Sequence, residues 1–271
     1  MQKSPLHGIR TRRNIEDGTR NIDYEVCPLS SVQYSVFRVR YSYVVLPLAF
    51  IFFKKNIMNT DKKKESYSLK QETVHSLIHA FGILFGIISI PILTAMAARN
   101  ANIPAIVGAS IYGFCFLMLF TFSTMYHGFQ QPQVKRVLEI LDHISIYFLI
   151  AGTYTPFLLI FLWDSFGITL LSMLWALTIL GVFFKVFFTG RFNIVSTIIY
   201  LLMGWIMLAG GRRFFTEVPS DVMIFIAIGG GLYSIGIIFY LWKGYGWHHA
   251  IWHFFVLAAA VCHYVAVLLA I

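Results

Sequence analysis

The sequence predicts an all-α fold: a polytopic membrane bundle of seven transmembrane helices. Three observations carry that reading. Of the 271 residues, 58% are hydrophobic and only 12% charged, about half the roughly 25% charged fraction of a soluble domain. From residue 72 onward, seven apolar stretches of bilayer-spanning length follow one another. The loops between them are short, so one bundle accounts for the length.

The first spans are His75–Ala98, Ile103–Tyr126 and Ile140–Trp163, and Pro156 in the third marks a kink or a close helix approach. The fourth and fifth are Phe166–Phe188 and Ile194–Ala209, the latter being the shortest. The sixth, Val222–Trp242, carries Gly229-Gly230-Gly231, which also marks a kink or a close approach. The seventh is His248–Ile271.

Residues 1–57 do not fit this pattern. They are basic and irregular, with Arg10, Arg12, Arg13, Arg20, Arg38 and Arg40. No apolar stretch directly follows the early charges, so they are no secretory signal. Tyr43–Phe53 is too short for a comfortable span and holds Pro47. Met58-Asn59-Thr60-Asp61-Lys62-Lys63-Lys64 reads like an ordinary leader. The expectation is an extension over 1–57 that is poorly ordered or the product of a misassigned start. It should be dispensable. A cytoplasmic leader covers 58–71, and the seven-helix domain 72–271.

The net charge of +9 does not point to nucleic acid, because basic residues of membrane proteins collect in cytoplasmic loops. Lys62, Lys63, Lys64, Lys70, Lys135, Arg136, Lys185, Arg191 and Lys243 fall on the side where the first span starts. Arg99, Arg212 and Arg213 fall on the other. That bias puts the start of the first span in the cytoplasm and, after seven crossings, the C-terminus outside. Lys185, near the end of the fourth span, is expected to snorkel to the interface. Cys27, Cys115 and Cys262 show no paired spacing and make no disulfide framework.

Against this topology the polar residues converge. In Trp247-His248-His249-Ala250-Ile251-Trp252-His253, two imidazoles four residues apart stack one turn apart on one helix face. The spacing alone fits either a metal grip or interfacial histidines. Ser123 and His127 share a face at the end of the second span, and Asp142-His143 opens the third. Glu72, His75 and His79 share a face at the start of the first. All four groups fall on the same side of the bilayer. Three neutral imidazoles, His127, His249 and His253, suit Zn2+ with a water in fourth place. Asp142 could handle that water as general base, and Ser123 could support the site or a substrate oxyanion. Simpler roles exist: Asp142 as an N-terminal carboxylate, Ser123 bonded to its own helix, and Glu72, His75 and His79 as first-turn and interfacial groups.

Several stretches carry a resemblance to a known family. They are Glu72-Thr73-Val74-His75-Ser76-Leu77-Ile78-His79, Ser123-Thr124-Met125-Tyr126-His127 and Leu141-Asp142-His143. They continue with Ala151-Gly152-Thr153-Tyr154-Thr155-Pro156, then His249-Ala250-Ile251-Trp252-His253 and Cys262-His263. In this order, over about residues 72–271, they resemble the hemolysin III family within the superfamily of progestin and adiponectin receptors. His75 stands where that family often has asparagine.

The resemblance implies a seven-helix protein of the bacterial plasma membrane, with zinc on His127, His249 and His253 and with Asp142 on the water. It further implies similarity to alkaline ceramidases, hence a zinc-dependent hydrolase of a lipid amide or ester whose partner is a membrane lipid. The alternative is a non-enzymatic pore former or regulator of membrane state, in which zinc is structural. A cavity open to lipid beside the metal favours the first, and a fourth protein ligand closing it favours the second.

Overall fold

The computed structural model describes residues 67–100, 102–242 and 244–271. The readings made above for residues 1–57 and for the leader up to residue 66 lie outside the described residues. Every regular element among the described residues is helical. They are α1 (Leu69–Arg99), α2 (Ile103–Gly128), α3 (Pro132–Phe161), α4 (Ser165–Phe188), α5 (Asn193–Gly204), a 3-10 turn (Ile206–Gly210), α6 (Gly211–Glu217), α7 (Ser220–Leu241) and α8 (His248–Ala270).

Local sequence explains where the helices start. Ser68 and Gln71 form a reciprocal capping box at α1, with Ser68 Oγ accepting from the Gln71 N–H and Gln71 Oε1 accepting from the Ser68 N–H. Asn102 caps α2, and Pro104 sits in its first turn. Pro132 opens α3, where a proline loses nothing because its N–H would be unpaired anyway. Asp164 caps α4 by accepting from the N–H groups of Phe166 and Gly167, each at 3.0 Å.

Six helices are long and apolar enough to cross a bilayer singly, and α5 with the 3-10 turn and α6 makes a seventh, bent by 43°. The break follows from glycine. Gly204 ends α5, and Gly211 takes a φ of +55°, which other residues adopt only with strain. A broken helix frees carbonyls that lipid cannot satisfy. Tyr154 of α3 donates its hydroxyl to the Gly204 carbonyl, and Trp205 Nε1 donates to Ser234 Oγ at 3.0 Å. Outward-facing side chains are largely apolar, among them Phe81, Ile88, Leu180, Phe183, Ile238 and Phe254. That is the surface a hydrocarbon solvent requires.

The neighbours form a closed circuit: α1 on α2, α2 on α3, α3 on α5, α5 on α7, α7 on α8, and α8 back on α1. α3 also touches α8 across the middle, and α4 packs outside α3. Tight approaches use small residues. A Cβ on Gly108 would lie 2.6 Å from the Pro156 Cα, so α2 rests directly on the α3 backbone. The close approach at Pro156 replaces a break: α3 runs on to Phe161. Lys185 differs from expectation. It is buried between helices, with its ammonium 5.9 Å from the Tyr200 ring, instead of reaching the interface.

Candidate metal centre

The site is built at the ends of four helices. α1 supplies Glu72, His75 and His79, all buried, at the three- and four-residue spacings that align one face. α2 ends with buried Ser123 and His127. α8 opens with His249 and buried His253. α3 contributes Asp142.

Four imidazoles meet. One ring nitrogen from each of His75, His127, His249 and His253 lies within 4.8 Å of all the others. His127 Nε2 and His253 Nε2 are 3.0 Å apart. The outward nitrogens are held. His127 Nδ1 donates to Glu72 Oε2 at 2.6 Å, and Glu72 Oε1 accepts from Lys135 Nζ at 2.7 Å. His253 Nδ1 is 2.8 Å from His79 Nε2. A carboxylate can only accept, so the His127 ring keeps its proton on Nδ1 and turns the Nε2 lone pair inward. Ring-orienting partners of this kind are the usual outer layer of a histidine metal site.

A divalent cation fits this donor set. Both His75 nitrogens are buried and find no hydrogen-bond partner among the described residues. A buried polar atom left so costs free energy. Nitrogen lone pairs converging from three helices also repel one another unless a positive charge sits among them. Tyr67 packs against the cluster, stacked on His249 at 5.1 Å between ring centroids and edge-on to His75 at 5.0 Å.

Beside the cluster lies a cavity of about 1080 Å³ lined by Ser123, Asp142, His249 and His253. Ser123 Oγ has no partner among the described residues, so it is not tied to its own helix. Asp142 lies ten residues past the start of α3, well beyond the first turn where a helix dipole acts. Thus the structure brings together the three histidines read from the sequence and lines the adjoining cavity with Asp142 and Ser123.

Two features were not read. His75 joins the rings, and Glu72 links Lys135 to His127. The shared face of Glu72, His75 and His79 was a signal for both. Lys135 was visible only as a loop charge. His248 stands apart, its Nδ1 3.1 Å from the Phe239 carbonyl, and His143 Nδ1 is 2.6 Å from the Glu139 carbonyl.

Residues 67–264 match the family model described as Haemolysin-III related. The chain belongs to that family. It is 40% identical over 202 residues to the hemolysin-3 homolog of Bacillus subtilis (strain 168), covering 74% of this chain and 95% of the relative. Hemolysin-3 of Bacillus cereus is 39% identical over 200 residues, 74% of this chain and 91% of the relative. The monocyte to macrophage differentiation factor of Homo sapiens is 28% identical over 165 residues, 59% and 68% of the two chains. Family and apolar helices together make this an integral membrane protein.

Proposed function

We propose that this haemolysin III family member is a zinc-dependent hydrolase that cleaves a lipid amide or ester within the membrane. The observation that carries the reading is the roughly 1080 Å³ cavity, which shares His249 and His253 with the histidine cluster and is also lined by Asp142 and Ser123. A structural metal needs no such space. His127, His249 and His253 would hold the ion, with Glu72 and His79 fixing the ring orientation of His127 and His253. Zinc held there supplies Lewis acidity, polarising a carbonyl and bringing deprotonation of a water towards neutral pH. Asp142 takes the proton from the attacking water and returns it to the leaving amine or alcohol. Ser123 donates its free hydroxyl to the carbonyl oxygen as charge develops on it. The mostly apolar walls hold the lipid chain. The basic bias described above orients the site towards the cytoplasm and the C-terminus outward.

One observation favours a second reading. His75 brings a fourth imidazole to the cluster, and four protein ligands would close a zinc ion to substrate. The protein would then be non-enzymatic, its metal tying α1, α2 and α8 together. Metal analysis of the purified full-length chain separates the two. His127→Ala, His249→Ala and His253→Ala should each strip most of the zinc. Under the hydrolase reading His75→Ala keeps it, and Asp142→Asn keeps it while abolishing release of fatty acid from lipid amides and esters. Loss of metal in His75→Ala, with no hydrolysis by the intact chain, would replace the enzyme with the closed structural site.

A further inference from the structure

The cavity does not end at the histidine cluster. It continues past Leu149, Ile150 and Val256 to a second polar zone around Tyr233 and His263. His263 lies ten residues after His253 on α8, about 15 Å further along the helix at 1.5 Å per residue. Polar groups at such depth in a membrane bundle need partners, and lipid provides none.

His263 is held in one tautomer. It is only 9% exposed. Gly229 lets its ring lie flush on α7, since a Cβ there would come within 2.4 Å of the ring. In that seat Nε2 is 3.3 Å from the Ile226 carbonyl. A carbonyl can only accept, so Nε2 carries the proton and Nδ1 is a bare acceptor. Nδ1 is buried with no hydrogen-bond partner among the described residues, and so is the Tyr233 hydroxyl. Their rings lie 5.6 Å apart, centroid to centroid, and both residues line the cavity. The cavity wall therefore carries an unused acceptor and an unused hydroxyl on neighbouring rings.

We infer that Tyr233 and His263 form a second binding site for the hydroxyl of a long-chain lipid whose head group sits at the histidine cluster. The hydroxyl donates to His263 Nδ1 and accepts from the Tyr233 O–H. The occupant is thus an ω-hydroxylated or similarly chain-hydroxylated amphiphile, with about 15 Å between its polar ends. A plain acyl chain of equal length would leave both protein groups unsatisfied, and a charged chain end would meet no counter-charge among the residues named here.

The inference names the chain of the substrate in the lipid-hydrolase reading and rests on that reading for the position of the head group. Its test measures binding and not turnover. Full-length protein in lipid nanodiscs is titrated with 12-hydroxydodecanoate and with dodecanoate. The intact chain should bind the hydroxylated probe up to about tenfold more tightly, the range of one or two net hydrogen bonds. Tyr233→Phe, which removes one oxygen and little volume, should erase most of that preference and leave dodecanoate binding unchanged. His263→Leu should erase it too. Equal affinity of the intact chain for both probes would mean that the two groups hold only water, and would overturn the inference. So would a preference that survives in Tyr233→Phe and His263→Leu. Discrimination without any lipid hydrolysis would sink the enzyme and spare this site; hydrolysis without discrimination would do the reverse.

Discussion

In α3, 72% of the most apolar stretch is buried inside the bundle; in α7 the figure is 22%. Both helices are apolar enough to cross a bilayer. Hydropathy brings a helix into the membrane but does not decide where it stands there, because lipid chains are as apolar as leucine. α3 becomes central through small and polar residues. Gly152 meets Cys115, Thr155 Oγ1 accepts from Trp175 Nε1 at 3.3 Å, and the Tyr154 hydroxyl serves the break after α5. α7 has three successive glycines, yet only Gly229 is used for a tight approach. A Cβ on Gly230 would meet nothing closer than 3.6 Å, and one on Gly231 nothing within 4 Å.

That contrast can be broken at four places. The largest effect is expected at Gly108→Ala. The added methyl strikes the Pro156 backbone, so α2 and α3 must part, and overpacking of this kind costs about 1–3 kcal/mol or more. The thermal midpoint of the detergent-purified protein should fall clearly. A variant that melts with the parent would show that α3 is not locked there. Next comes Glu72→Gln on α1, whose apolar stretch is only 28% buried but whose buried face is polar. Losing the carboxylate behind His127 should weaken metal binding by about ten- to a hundredfold, read by competition with a chelator. Unchanged affinity would remove Glu72 from the site.

Gly230→Ala on α7 should leave the midpoint within about 0.5 kcal/mol of the parent. A large loss would mean that α7 is packed more tightly than its exposure implies. The smallest effect belongs to Asp164→Asn. Asparagine keeps the cap but loses the charge that pairs with Arg213 of α6. The Asp164 carboxyl is held below its ordinary value, first by the Gly167 N–H and then by Arg213. A lowered carboxyl contributes stability above its unfolded pKa and loses it as the pH falls. The slight deficit of Asp164→Asn at neutral pH should therefore shrink below about pH 4. A deficit independent of pH would point to the cap instead of the charge.

The spans were legible because apolar length is a local property of the chain. The break in the fifth was not. Ile194–Ala209 reads as one apolar run, and only the backbone shows that Gly204 and Gly211 divide it. The gathering of the site at one end of the bundle was legible from span direction and helix faces, which placed His127, His249 and His253 at one depth. The Glu72–His127 bond was not, because it joins two helices whose rotation about their axes no single sequence specifies. Lys185 shows the same limit. Its position in the span predicted an interfacial ammonium, but the packing of α4 on α3 encloses it.

α1 and α8 are fastened to each other along their length. The Gln71 amide donates to the Gly246 carbonyl at 2.6 Å, the Tyr264 hydroxyl to the Ser89 carbonyl at 3.0 Å, and the Asn100 amide to the Ile271 carbonyl at 2.9 Å. These are the first and last described helices to leave the ribosome. The histidines of α1 and α2 must therefore wait in the bilayer, through the insertion of every helix between, until α8 delivers His249 and His253. A chain halted before α8 carries half a cluster and has nothing with which to close the circuit. The four rings can thus be gathered only in molecules whose synthesis has reached α8.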